Sequence, residues 1–165
     1  MRASAWNPQA MGRFAEQRKC VRGSSAVSMM LDSLESVVGQ CELRLQVPPT
    51  VEHLRTVRLV AADAAERAGL DCDETDDLRI AVDEVCHAVL KSTGSPITVG
   101  FSVEPGLVGV CGAAQREGVL APVHLSRISQ LIVDAVADDV EISDGSAGIR
   151  FTFAKRAARA AAGAR

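Results

Sequence analysis

Between residues 41 and 156 two hydrophobic periods take turns. Cys41 to Val47, reading Cys-Glu-Leu-Arg-Leu-Gln-Val, alternates apolar and polar positions, the period-two pattern of a half-buried strand, and Pro48 and Pro49 end it. From Thr50, a candidate N-cap, Leu54, Val57, Ala61, Ala65 and Ala68 recur at helical spacing, and Gly69 is the C-terminal stop. Arg55, Arg58, Glu66 and Arg67 are left for the surface of that helix. Residues 76–92 are the most informative stretch. At about 100° per residue, Leu78, Ala81, Val82, Val85 and Val89 share one arc, while Asp76, Arg79, Asp83 and His87 point away from it. Asp73, with Asp76 three residues later, is the expected cap. Glu84 and Ala88 lie one turn apart on the border of the apolar arc, where a side chain reaches a cleft while its helix stays anchored.

Beyond Gly94-Ser95-Pro96, residues 97–103 alternate as a strand, and Glu104-Pro105-Gly106 turns it into a second strand over 107–110. The small residues from Cys111 to Ala121 read as a loop. A helix is predicted from His124 to Ala137, with Leu125, Ile128, Leu131, Ile132 and Ala135 as its apolar face and Asp138 and Asp139 closing it. Residues 140–143 and 148–155 form a last hairpin across Asp144-Gly145-Ser146, with Ile149, Phe151 and Phe153 on one side. Residues 1–38 read as a disordered basic arm carrying a short helix near 30–38, and residues 157–165 as a frayed Ala/Arg tail. Hairpins grouped beside segregated helices predict one α+β domain over 39–156. It is a two-layer sandwich, with a mixed, mostly antiparallel sheet covered by three helices rather than a doubly wound parallel sheet.

Composition narrows the partners. With 3% aromatic residues and no Tyr, the core is built from Val, Leu, Ile and Ala, and stacking platforms for single-stranded nucleic acid are excluded. A net charge of −3 argues against a nucleic-acid backbone as partner, and no stretch is long and apolar enough to span a membrane. A protein or a small molecule fits better. Cys20, Cys41, Cys72, Cys86 and Cys111 are odd in number and lack the close spacing of zinc or redox pairs, so they read as reduced thiols of a cytoplasmic protein. Cys86 and Cys111 are a minor candidate for redox sensing.

The order of elements, together with Asp-Leu-Arg-Ile-Ala-Val-Asp-Glu-Val-Cys at 77–86 and Ala-Asp-Asp-Val-Glu-Ile at 137–142, resembles one family over roughly residues 41–156. It is that of the anti-sigma-factor serine kinases of the RsbW and SpoIIAB type, with a histidine-kinase-like (GHKL) ATPase fold. In that family a Glu on the acidic helix is the general base toward a serine hydroxyl of an antagonist protein. An Asn four residues later holds the Mg2+ that bridges the phosphates of ATP. Glu84 matches the Glu, but the Asn position is Ala88, and His87 and Cys86 are rotated about 100° and 200° away. At the place of the family's Asp-x-Gly-x-Gly, which recognises adenine and makes room for the nucleotide, this chain reads Val110-Cys111-Gly112-Ala113-Ala114, so that Cys111 replaces the Asp and a glycine is gone, and the family's Gly-Thr is matched by Gly148-Ile149.

The resemblance implies an anti-sigma factor that sequesters an alternative sigma factor and is countered by an anti-anti-sigma protein. A family arginine that meets the sigma factor matches Arg58, and family members often form homodimers. Three departures strike nucleotide contacts while the core periodicity stays clean, so the expectation is weak or lost ATP binding and a vestigial Glu84. The alternative is an active serine kinase that uses ATP and Mg2+ to phosphorylate its antagonist.

Overall fold

A computed structural model describes residues 41–116, 122–145 and 148–158. The expected N-terminal arm with its short helix, and most of the C-terminal tail, lie outside the described residues. Five strands and three helices follow in the order β1 (Leu43–Val47), α1 (Leu54–Ala68), α2 (Cys72–Lys91), β2 (Ile97–Glu104), β3 (Leu107–Ala114), α3 (Arg127–Val136), β4 (Asp138–Gly145) and β5 (Gly148–Arg156). The sheet order is β1-β2-β3-β5-β4, and every pairing among these strands is antiparallel rather than mixed. The helices lie on one face of it, so the α+β two-layer architecture stands.

The apolar arcs of the first two helices do what their spacing requires. Leu54, Val57, Ala61, Ala65 and Ala68 of α1 and Leu78, Ala81, Val82, Val85 and Val89 of α2 are all buried against Ile97, Val99, Phe101, Val108, Val110, Ile149, Phe151 and Phe153 of the sheet. Gly69 ends α1 in the left-handed region, at φ 75°, and its N–H reaches back to the last-turn carbonyls of Ala65 and Glu66. Thr50 leads first into a single 3-10 turn over Val51–His53 and makes no side-chain cap bond.

The cap of α2 differs from the expected one. Asp71, in extended conformation, accepts from the N–H of Glu74, and the Glu74 carboxylate accepts from the N–H of Asp71, each at 2.9 Å, a reciprocal capping box two residues before the one read from sequence. Asp73 and Asp76 fall inside the helix, where their charges suit the positive end of the macrodipole. The second Glu74 oxygen accepts from the N–H of Ala158 at 2.6 Å, fastening the end of the chain's last strand to the start of α2. Lys155 adds a parallel tie, donating to Asp77 at 2.6 Å and to the Val136 carbonyl at 3.1 Å.

Two further boundaries move. Residues 111–114 are strand, not loop, because each finds a register partner on β5: Cys111 opposite Thr152, Gly112 opposite Phe151, Ala113 opposite Arg150 and Ala114 opposite Ile149. Composition misleads there, since small side chains are what the packing demands. A Cβ on Gly112 would sit 2.1 Å from the Phe151 ring. The face of α3 is also turned, by roughly a third of a turn. Val133 is its buried residue, with Val136 packed on the core, whereas Ile128 and Leu131 are 71% and 63% exposed. The helix rests on α2 and the edge strand β4 rather than over the centre of the sheet, so its inward side is set by that corner. It ends at Val136, and Asp138 and Asp139 already belong to β4.

Glu74 leads to a direct expectation. Replacing it with Ala strands the N–H groups of Asp71 and Ala158 together, so Glu74→Ala should lower the unfolding free energy by about 2 kcal/mol in a urea titration.

Candidate functional site

The border position of Glu84 on α2 becomes a cleft because α1 packs alongside. Arg58 from α1 and Asp76, Arg79, Ile80, Asp83 and Glu84 from α2 line an open groove of about 360 Å3. Arg58 donates to Asp83 at 2.6 Å, with both side chains a little more than one-third exposed. Such a pair contributes little to stability, about 0.2–1 kcal/mol; its consequence is to hold the guanidinium at the cleft rim. Arg79 pairs with Asp76 at 2.7 Å along the same wall. Ile80, 43% exposed, adds apolar surface. Arg58 and Glu84, read from two separate helices in the sequence, thus share one groove. Asp83, the residue that orients Arg58, was legible there only as an outward-pointing acid.

The remaining candidates sit elsewhere. Ala88 is buried, its carbonyl accepting from Ser92 Oγ at 3.2 Å. The end of α2 is joined to the end of β3 by Thr93, whose hydroxyl donates to the Gln115 carbonyl at 2.5 Å. Gly148 closes the same corner. It takes φ 113°, and a Cβ there would meet the Ala114 carbonyl oxygen at 2.5 Å, so a glycine is demanded by backbone geometry alone. Ile149 is fully buried in the core beside Ala114. Gly112 makes room for the Phe151 ring.

Cys111 is on the other side of the sheet. Val108, Val110 and Ala114 face the helices, and the strand's alternation turns Cys111 to the outer face, 1% exposed. The structure therefore does not bring Cys111 to the face that carries Glu84 and Ala88. It separates Cys111 from Cys86 too, because Cys86 packs in the core on the helix side.

Ala88 itself has only a methyl group and offers a metal ion no side-chain ligand. Among the described residues no group of three or more His, Cys, Asp or Glu side chains is gathered around a point that a metal ion would fill. A second open cleft, about 470 Å3, lies between α3 and β4 and is lined by Val123, His124, Leu125, Arg127, Gln130, Leu131, Ile142 and Asp144. Asp144 organises its rim by accepting from the Val123 N–H at 2.8 Å and pairing with Arg116. No motif marks this cleft in the sequence, because its walls, α3 with the segment before it and β4, come together only in the folded chain.

Burial pushes the Cys86 thiol up to about 12 from an ordinary 9.0, with the charge of Asp83 adding to the effect. The raised value means the folded protein holds the proton more tightly than the unfolded chain. The thiol's contribution to stability is complete below about pH 9 and is lost as pH rises from there toward 12.

Comparison with known proteins places these features in a family context. Residues 47–154 match the model of the histidine kinase-like ATPase domain. The chain is 32% identical over 107 residues to the anti-sigma-F factor RsbW of Mycobacterium tuberculosis, a match that covers 62% of this chain and 62% of that relative's length. It is 32% identical over 66 residues to the serine-protein kinase RsbW of Bacillus subtilis, covering 37% of this chain and 41% of that protein. Among solved structures, the RsbU and RsbW domains of a Mycobacterium tuberculosis protein superpose with a TM-score of 0.51 at 17% identity. That superposition covers 70% of this chain and 32% of the other, and it shows a shared fold.

The Cys86 linkage is measurable by urea unfolding of the wild type and Cys86→Ala from about pH 7 to 10.5. The stability of the wild type relative to the variant should stay constant up to about pH 8. Above about pH 9 it should fall by about 1.4 kcal/mol per pH unit.

Proposed function

Because this chain belongs to the histidine kinase-like ATPase domain family, with residues 47–154 matching its model, we propose that it works as a protein-binding member of it. In this reading it is an anti-sigma factor that sequesters an alternative sigma factor, is released by an anti-anti-sigma protein, and has weak or lost ATP binding. The names of its relatives, an anti-sigma-F factor and a serine-protein kinase, support the class of partner.

The observation that carries the reading is the contrast between two parts of one helix. Toward its first half, α2 with α1 forms a half-exposed groove in which Arg58, Asp83 and Glu84 stand beside the exposed apolar Ile80. An arginine held by an ion pair at the edge of an apolar patch is the mixture that protein interfaces favour. One turn beyond Glu84 the position that matches the family's metal-holding Asn is Ala88, which has no ligand to offer. Gly112 and Gly148 are each accounted for by their own close packing, to Phe151 and to the Ala114 carbonyl, so their presence does not argue for a nucleotide.

A second reading, a working serine kinase, is favoured by one residue. Glu84 remains in the cleft, half-buried, where a general base toward a docked hydroxyl would stand. That reading requires phosphate transfer to an antagonist protein that Glu84→Ala abolishes. It also needs another source of metal ligation than the turn at Ala88, and Mg2+ with ATP would be its cofactors.

Arg58→Glu tests the binding reading. It reverses the charge at the rim and sets it against Asp83, so co-purification with a sigma factor of the same genome should fall by about tenfold or more, while the melting temperature changes little because the pair is exposed. Complex formation by the wild type should be the same with and without Mg-ATP. Absence of binding to any sigma factor of that genome would overturn the reading.

A further inference from the structure

The outer face of the sheet carries two sulfur atoms that neither the groove nor the core uses. The chain bends at Glu42 just before β1, and Cys41 turns back over the sheet to place its Sγ 3.0 Å from Sγ of Cys111. The two residues are 70 apart in sequence, Cys41 just before β1 and Cys111 on β3, and β1 and β3 do not pair with each other. The space between them is open at Gly100 of β2, which stands in register between Arg44 on β1 and Cys111 on β3 and puts no side chain in the way. Cys111 is 1% exposed, whereas Cys41 is half-exposed and so is the sulfur that a small solute meets first.

We propose that Cys41 and Cys111 are an oxidation site, a dithiol that hydrogen peroxide converts to a disulfide joining the entry of β1 to the centre of the sheet. Exposure sets the order of events, and the electrostatics agree with it. The hydrogen bond shared by the two sulfurs holds Cys41 below the ordinary thiol range against the opposing effect of its burial, with Arg44 assisting. The same hydrogen bond, with burial, pushes Cys111 up. Cys41, the half-exposed sulfur that peroxide reaches first, is thus the one that attacks, and buried Cys111 the one that resolves.

In the first step the Cys41 sulfur bonds to one peroxide oxygen and the O–O bond breaks. Cys41 becomes a sulfenic acid, and the departing hydroxide takes up the proton that Cys41 had released to solvent. In the second, Cys111 sulfur bonds to Cys41 sulfur, the S–O bond breaks, and the leaving hydroxide takes the Cys111 proton to form water. Two thiols and one peroxide give one disulfide and two waters. Cys86, buried on the other side of the sheet with its thiol held protonated, takes no part, and exposed Cys72 serves as an internal reference.

The test is peptide mapping of the full chain. Reduced protein is treated with one equivalent of hydrogen peroxide, remaining thiols are alkylated, and the digest is read by mass spectrometry without reductant. The expected result is a Cys41 peptide joined to the Cys111 peptide with the loss of two hydrogen masses, reversed by dithiothreitol, while Cys72 and Cys86 are recovered alkylated. Both peptides recovered fully alkylated, Cys41 oxidised beyond sulfenic acid without a cross-link, or Cys41 joined to a different cysteine would each overturn the proposal. In Cys111→Ala the reaction should stop at Cys41, captured as a dimedone adduct; an adduct on Cys72 alone would contradict Cys41 as the site of attack.

Discussion

Everything in this domain hangs on the burial of one side of α2. Leu78, Ala81, Val82, Val85 and Val89 are fully enclosed by α1 and by the sheet residues Ile149, Phe151 and Phe153, and this fixes the helix in rotation as well as position. With aliphatic side chains worth about 1.5–3 kcal/mol each when fully buried, the arc outweighs any surface ion pair by a wide margin. Rotation in turn decides chemistry. It puts Asp83 under Arg58, leaves Glu84 on the lip of the α1–α2 groove, and buries Ala88 one turn further along. The start of the helix is held by a second device, the Glu74 carboxylate, which serves Asp71 and Ala158 at once and so couples α2 to the last strand.

The periodic elements were legible in the sequence because a single environment governs each of them. α1 and α2 each have one buried arc, and β1, β2 and the final hairpin alternate between one wet and one dry side, so their periods survive into the fold. Legibility failed where two constraints compete. The end of β3 reads as a loop because Gly112, Ala113 and Ala114 are small, yet they are small because Phe151 lies across Gly112. The face of α3 was misread because the helix has more apolar residues than its corner can bury, and the choice between Leu131 and Val133 is made by α2 and β4, not by spacing. Of the site, Glu84 and Arg58 were visible separately, but their common groove is a tertiary fact.

The same sheet separates two chemistries. Its helix side carries the groove with Arg58 and Glu84 and, one turn further along α2, the buried Ala88. Its outer side carries Cys41 and Cys111, brought together across Gly100. Strand alternation alone puts Cys111 on that outer side, which is why a residue matched by motif to a nucleotide contact faces away from the helix that matches the rest of the motif. A motif match gives an order along the chain; the pleat decides which face receives it.

In the proposed reading, the groove between α1 and α2 serves protein binding while the turn at Ala88 does not support nucleotide chemistry. Isothermal titration of the protein with a non-hydrolysable ATP analogue, with and without Mg2+, tests it most directly. The account predicts heats no larger than those of dilution, or weak binding that Mg2+ does not strengthen. Saturable binding in the micromolar range that appears only with Mg2+ would contradict it.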